Sequence, residues 1–350
     1  MNGKRYQFES STAIKRDSLF IGFTCRILEK LPTIGEAMSD LRQINRPTTV
    51  WTLVVLTCVA HGQVQPKVSG VLETYFLTNS NSQGAYQQMT WAEVRARVTK
   101  NWSTTWSGYD VGSRSAYDEA YVRYETDLGS IRAGRLRTSF GFSDWSENFY
   151  NGFNHKPLVR QMTLVASQSL DRDDAGAEIS TNFGPLQIQA ALIDVTPTKA
   201  QVAPSKTDHA TLTAQYALGP ATIGLDLLTE NDGSQKIYGA NIRYTIPRWI
   251  FKGEAFEGVG PKSASGGYLD ATYRIPSLTR TQIVWRTDRL KAFGSDAPTW
   301  LHTVGVRQIF SKYLTANLNY GWGDELDYSS YATKLGLSGW TARALLQVPF

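Results

Sequence analysis

From residue 66 to the end of the chain, apolar and polar side chains alternate with a period of two. The alternation falls into about sixteen segments of roughly ten residues. They run over 66–78, 89–99, 101–110, 116–128, 129–140, 172–184, 185–195, 207–218, 220–231, 235–246, 248–258, 265–275, 278–290, 299–310, 312–322 and 335–350. A period of two places one face of each strand in an apolar medium and the other in water. The connections after even segments are short and built from turn formers, among them Lys100-Asn101, Leu128-Gly129-Ser130, Gly184-Pro185, Gly219-Pro220, Pro247, Pro276-Ser277 and Ser311-Lys312. Those after odd segments are mostly longer and polar. Short turns at one end and long loops at the other, with both termini on the short-turn side, predict an all-β chain: a transmembrane antiparallel β-barrel of about 16 strands. One connection stands apart. Residues 141–171, after the fifth strand, are rich in aromatics and glycine, and a stretch of that length is expected to carry function. An extra strand pair through 157–168 is the other reading of it.

The two ends of the chain point to the same destination. Counting back from Phe350, the residues Val348, Leu346, Ala344, Ala342 and Trp340 are apolar, while Gln347, Arg343 and Thr341 between them are polar. A final strand ending on an aromatic carboxylate resembles the closing strand of bacterial outer-membrane barrels. That likeness implies an assembly signal in Phe350, Val348 and Leu346, read by the barrel-assembly machinery. Near the start, VWTLVVLTCVA over residues 50–60 follows Arg42 and Arg46 and precedes the small-x-small site Ala60-His61-Gly62. It is too short to span a bilayer as a helix. Residues 38–62 therefore read as a secretory signal peptide, 1–37 as a mis-called start or extended N-terminal region, and 63–350 as the barrel.

Composition narrows the chemistry. Both cysteines, Cys25 and Cys58, precede the expected cut, so the mature chain can hold neither a disulfide nor a thiolate metal site. Residues 63–350 carry 28 Lys and Arg against 26 Asp and Glu, a balance that does not mark a nucleic-acid binder. Mean hydropathy is −0.30, and no second apolar run reaches 18 residues, so the membrane is crossed by strands. No His or acid pair has metal-ligand spacing, His155 has no local nucleophile, and His209 and His302 lie near strand starts by long loops, where an interfacial His is ordinary. No cofactor, metal or enzymatic activity is expected.

A charge facing lipid at mid-depth costs about 2–4 kcal/mol, so alternation assigns faces. In the second strand Thr90, Ala92, Val94, Ala96 and Val98 point outward, leaving Glu93, Arg95 and Arg97 to line the lumen. In the fourth, Ala120, Val122 and Tyr124 point outward and Glu119, Tyr121, Arg123 and Glu125 inward. In the fifth, Leu136, Thr138 and Phe140 outward would put Arg135 and Arg137 inside and leave Arg132 to snorkel at the lower interface. Five arginines would then share one wall opposite the long loop, whose Asp144, Glu147, His155 and Lys156 are the candidate constriction residues. Elsewhere Arg243, Arg280, Arg286, Arg307 and Arg343 take inward positions against Asp226, Glu254 and Asp288, making the inner wall net positive. Trp91, Trp249, Trp285, Trp300, Trp322 and Trp340 at segment ends fit interfacial girdles.

The segment Asp118-Glu119-Ala120-Tyr121-Val122-Arg123-Tyr124, then Gly129 and Ala133-Gly134-Arg135-Leu136-Arg137-Thr138-Ser139-Phe140-Gly141, is similar to a hairpin of the phosphate-selective porins. Asp173-Asp174-Ala175-Gly176 is similar to that family's entry into the next strand. The likeness covers about 40 residues. Arg137 and Ser139 replace its lysine and proline, so it speaks for a porin more than for phosphate. It implies a water-filled channel for passive diffusion of small hydrophilic solutes in the outer membrane of a Gram-negative-type bacterium, and the lumen charge adds a weak anion preference. The position of 141–171 after the fifth strand resembles that of the third external loop of sixteen-stranded porins, which implies that it folds inward and narrows the pore. Expected partners are outer-membrane lipids, the assembly machinery, small solutes and anions, and two further copies in a homotrimer. A barrel-embedded hydrolase and a secreted β-sandwich binding module are the competing classes.

Overall fold

The computed structural model describes residues 66–79, 84–111, 114–137, 139–142, 152–153, 157–161, 173–194, 208–230, 233–260, 263–292, 294–324 and 339–349. The expected leader and barrel start, Asp144, Glu147, His155, Lys156 and Phe350 lie outside them.

Sixteen strands among the described residues form one closed antiparallel barrel in which each pairs with its sequence neighbours. They are β1 (Pro66–Asn79), β2 (Gly84–Arg97), β3 (Trp102–Val111), β4 (Arg114–Thr126), β5 (Gly129–Arg137), β6 (Asp173–Phe183), β7 (Leu186–Asp194) and β8 (Asp208–Leu218). They continue as β9 (Ala221–Glu230), β10 (Gln235–Thr245), β11 (Trp249–Val259), β12 (Ser265–Arg274), β13 (Thr281–Lys291), β14 (Thr299–Ser311), β15 (Leu314–Gly323) and β16 (Gly339–Pro349). Every segment read from alternation is a strand, although β2 begins earlier and β16 later than expected. β1 closes on β16, with Val71 opposite Pro349 and Asn79 opposite Thr341. A single closed sheet leaves no edge and excludes the β-sandwich.

The wall is inverted relative to a soluble protein. One parity carries exposed apolar side chains, such as Val68, Leu192, Leu212, Leu225, Leu269 and Leu318. The other buries polar ones, such as Glu73, Thr213, Asn241, Asp270, Thr303 and Asn317. With the strands paired around a closed ladder, an apolar exterior is what hydrocarbon requires. No helix among the described residues is long and apolar enough to cross a membrane. Trp102 stacks near Tyr124, Trp249 near Phe251 and Tyr273, and Trp322 near Tyr320, as ring pairs at strand ends on this exterior. Trp91 is an exception to the girdle expectation. It sits on the inward parity and packs with Tyr75 against Val71 and Met89.

Within the connection from β5 to β6, the described residues form a short helix, α1 (Leu158–Gln161), where the other reading began an added strand pair. Its described pieces bond to the inner wall. The Leu158 N–H donates to Asp288 at 2.9 Å, and Asn319 donates to the Gly152 carbonyl at 3.0 Å. Leu158 and Val159 join Phe140 and the inward-facing Leu228, Ile237, Phe256, Tyr268 and Leu290 in one apolar cluster.

Candidate functional site

The inner wall divides into two arcs. On the arc of β9–β15, several charged groups lie buried beneath the docked chain and are paired or hydrogen-bonded, while Arg243 on the same parity is exposed. Arg286 grips Asp270 with two bonds of 2.6 and 2.7 Å, and its guanidinium lies 4.0 Å from the centre of the Phe153 ring. Arg160 of α1 reaches Glu254 at 2.9 Å, with side chains 2% and 5% exposed. It also donates to the Phe140 carbonyl, while Glu254 accepts the Phe142 N–H. Gly141 sits within this knot at φ +70°, where a Cβ would fall 2.5 Å from an Arg160 nitrogen and 2.7 Å from the Glu254 carboxyl. Only glycine fits there. Gly152, at φ +82°, similarly lies against Val284 and Arg307.

The arc of β1–β5 is more open. Register places Thr90, Ala92, Val94 and Ala96 of β2 in line with the exposed exterior row of β1, and Glu93, Arg95 and Arg97 on the lumen side. Glu119, Tyr121, Arg123 and Glu125 of β4 also lie on the lumen side. Arg95 bonds Glu93 at 2.6 Å, Arg123 bonds Glu125 at 3.1 Å, and Arg97 lies 3.6 Å from Glu125. Here the cations stand in water: Arg95, Arg97 and Arg123 are 63%, 69% and 40% exposed, with Glu125 beside them at 42% and Glu93 beneath at 9%. Arg97 is the last residue of β2 and Arg123 lies three before the end of β4. At about 3.3 Å per residue along tilted strands, the cluster sits near the short-turn mouth.

β5 corrects the face expectation. Val122 pairs with Ala133 and Tyr124 with Ile131, so Ile131, Ala133, Arg135 and Arg137 take the outward parity. On the other side Arg135 pairs with exposed Ala175 and Ala133 with Ala177. Arg135 and Arg137 therefore do not join the lumen arginines. The residues taken as outward markers, Leu136 and Phe140, are buried inside, and Thr138 is not among the described residues. The reason is physical: the inner wall is itself apolar in places, so an apolar residue does not by itself mark lipid. Arg132 takes the inward position instead of the lower interface. It holds Glu178 in a two-pronged bond of 2.7 and 2.6 Å, lies 3.7 Å from Glu119, and covers the Tyr121 ring at 5.0 Å. Two fixtures were missed in the sequence: this Arg132–Glu178 pair, and the chain Asn317–Gln347–Glu73 across the closing seam at 3.2 and 2.7 Å. Both were findable as complementary polar residues on the inward parity of adjacent strands, once register was fixed.

Of the second set of inward cations, Arg286 and Arg307 are buried inside and Arg243 shares their parity. Arg280 instead lies in the turn before β13 and donates to the Phe310 carbonyl at 2.8 Å. Asp226, Glu254 and Asp288 are all buried on the inner wall.

A family model described as Gram-negative porin matches residues 49–328. No curated protein matches the chain. Solved structures share the fold at low identity. An anion-selective porin from Comamonas acidovorans is 13% identical with a TM-score of 0.61, over 82% of this chain and 100% of that one. A multiple mutant of the Rh. blastica porin is 9% identical with a TM-score of 0.60, over 82% and 100%. OmpT, an outer membrane protein of Vibrio cholerae in a trimer form, is 13% identical with a TM-score of 0.58, over 82% and 99%.

Proposed function

The chain belongs to the Gram-negative porin family and resides in the outer membrane, and we propose that it is a passive-diffusion channel with a weak preference for anions. The observation that carries the preference is the unequal wetting of the inner wall. Arg95, Arg97 and Arg123 extend into water beside Glu125, whereas Glu73, Glu178, Asp226, Glu254, Asp270 and Asp288 are all buried. On this arc a solute meets three well-exposed guanidinium groups against the one carboxylate of Glu125, and in a water-filled passage exposed charge sets ion selectivity. With Arg135 and Arg137 outside, the excess is small and the preference is modest. The docking of 152–153 and α1 on the inner wall supports the reading that the β5–β6 connection narrows the passage. The anion selectivity of the Comamonas protein is consistent with this charge sign.

We read the assembly as a homotrimer. The exterior of β2–β7 carries small side chains, Ala92, Ala96, Ala120, Ala133, Ala175, Ala177 and Ala190, around an outward Arg135. An arginine on that face is costly against lipid and tolerable against a protein surface. The barrel-assembly machinery remains the proposed reader of the closing strand.

Planar-bilayer recording in a salt gradient, with the cation and anion exchanged in turn, tests the function. A reversal potential displaced toward the anion is expected. A cation-displaced potential, or an absence of discrete conductance from protein that shows the heat-dependent SDS mobility of a folded barrel, would refute it.

A further inference from the structure

Charged side chains are few on the described exterior wall, and two of them stand together at its outer rim. Arg289 and Lys291 both take the outward parity of β13, two residues apart, with Lys291 its last residue. β13 rises from a short turn to the 292–298 connection, so this end faces the cell exterior. The neighbouring strand gives each cation a small partner: Lys291 is opposite Ser265 and Arg289 opposite Gly267. On the other side Arg289 is opposite Trp300, with its guanidinium 6.0 Å from the ring centre. The result is a shallow trough floored by Ser265 and Gly267 and edged by two cations and an indole.

From that edge an aromatic ribbon runs along the exterior. Trp300 stacks on His302 at 6.4 Å, and His302 on Trp322 at 5.5 Å. The His302 ring is held by a 2.8 Å hydrogen bond between its Nδ1 and the Thr287 hydroxyl. Two acids adjoin the trough. Asp324 accepts the Trp300 backbone N–H at 2.9 Å, and Glu257 lies opposite Ser265 on the far side from Lys291. Both leave the Arg289 and Lys291 edge cationic.

We propose that this trough binds the phosphorylated sugar headgroup of an outer-leaflet glycolipid. Arg289 and Lys291 would take the phosphate, and the flat faces of Trp300 and its stacked neighbours would take the sugar. Three features select this occupant. The site is on the lipid-facing wall, at headgroup height, and at the exterior end, where the outer leaflet of a Gram-negative outer membrane presents phosphate esters on sugars. Paired cations beside aromatic rings complement such a group in charge and in shape.

The test uses full-length protein from outer membranes, exchanged into detergent, with bound lipid read by native mass spectrometry. Wild type should retain a lipopolysaccharide adduct. In titrations with purified lipopolysaccharide, R289Q/K291Q should bind roughly thirtyfold more weakly, taking each surface cation at its usual worth. K312Q, which alters a cation at the opposite rim, should bind as wild type does, and both variants should keep wild-type conductance and heat-dependent mobility. Lipopolysaccharide stripped of its phosphates should bind wild type as weakly as intact lipid binds the double variant. Phosphatidylglycerol, which offers a phosphate without a sugar, should bind wild type more weakly than lipopolysaccharide does, and inorganic phosphate should fail to displace the adduct. Equal lipopolysaccharide binding by wild type and R289Q/K291Q would overturn the proposal, as would an equal loss in K312Q. If R289Q/K291Q does not fold, W300A, which keeps both cations, replaces it, and undiminished glycolipid binding there would overturn it as well.

Discussion

Replacing Arg160 by alanine should release the docked part of the β5–β6 connection without opening the barrel. The seven described residues of 152–153 and 157–161 each cost about 1–2 kcal/mol of backbone freedom on docking. Burial of Phe153, Leu158 and Val159, all at 1% exposure or less, returns about 1.5–3 kcal/mol per side chain. The two sums are of similar size, so polar ties decide whether this segment stays on the wall. Arg160 supplies the strongest of them, bridging Glu254 and the Phe140 carbonyl. Removing one partner of a buried ion pair costs about 3–5 kcal/mol, because the other charge is left uncompensated. That exceeds the docking margin, while the sixteen-strand ladder is untouched. Single-channel recording of R160A should therefore show higher and noisier conductance, with the heat-dependent SDS mobility of wild type. R160M/E254L replaces the pair by apolar side chains of similar reach and should return conductance toward wild type, since such exchanges are often near neutral. Wild-type conductance in folded R160A would refute the reasoning, and so would R160M/E254L conducting like the single variant.

R97E/R123E should move the reversal potential toward cations, and the shift should shrink between 0.1 and 1 M salt as the Debye length falls from about 10 to 3 Å. R135E should leave selectivity unchanged because Arg135 faces outward, and an equal shift in both variants would show the β5 register to be wrong. R132A strips Glu178 of a two-pronged partner, so the midpoint of the heat-induced mobility change should fall, reflecting about 3–5 kcal/mol. Q347L removes the link to Glu73 across the β1–β16 seam and should lower the same midpoint by less, for a loss of about 1.5–3 kcal/mol; no change would show that the seam bond adds nothing to closure.

Strand number and order were legible because alternation at a period of two is a direct record of a wall with different media on its two sides. The Gly-Pro turns after β6 and β8 and the Pro247 turn after β10 marked where those strands reverse. Faces were legible over 92–97 of β2 and 119–125 of β4, where charged residues occupy one parity only. β5 was illegible for a specific reason. Ile131 and Ala133 mark one parity as apolar and Leu136 and Phe140 the other, and only pairing with β4 and β6 decides between them. α1 was hidden as well, since a single helical turn has too few residues to show a 3.6 period.

The same ambiguity has a functional consequence. Inward Leu228, Ile237, Tyr268 and Leu290 are apolar because a piece of the chain covers them, and the charges beside them, Arg286, Asp270 and Asp288, are buried and paired or hydrogen-bonded. Counting all inward charges therefore overstates what a solute can sense. Charge under the docked chain holds the connection in place, and charge on the open arc of β2–β4 acts on the permeating ion. Arg286 and Arg123 are both inward arginines, yet the first is 2% exposed and the second 40%. Covering, rather than face alone, separates a fastening from a filter, and it follows that substitutions on β9–β15 should change conductance through the connection, whereas those at Arg97 and Arg123 should change selectivity with conductance nearly preserved.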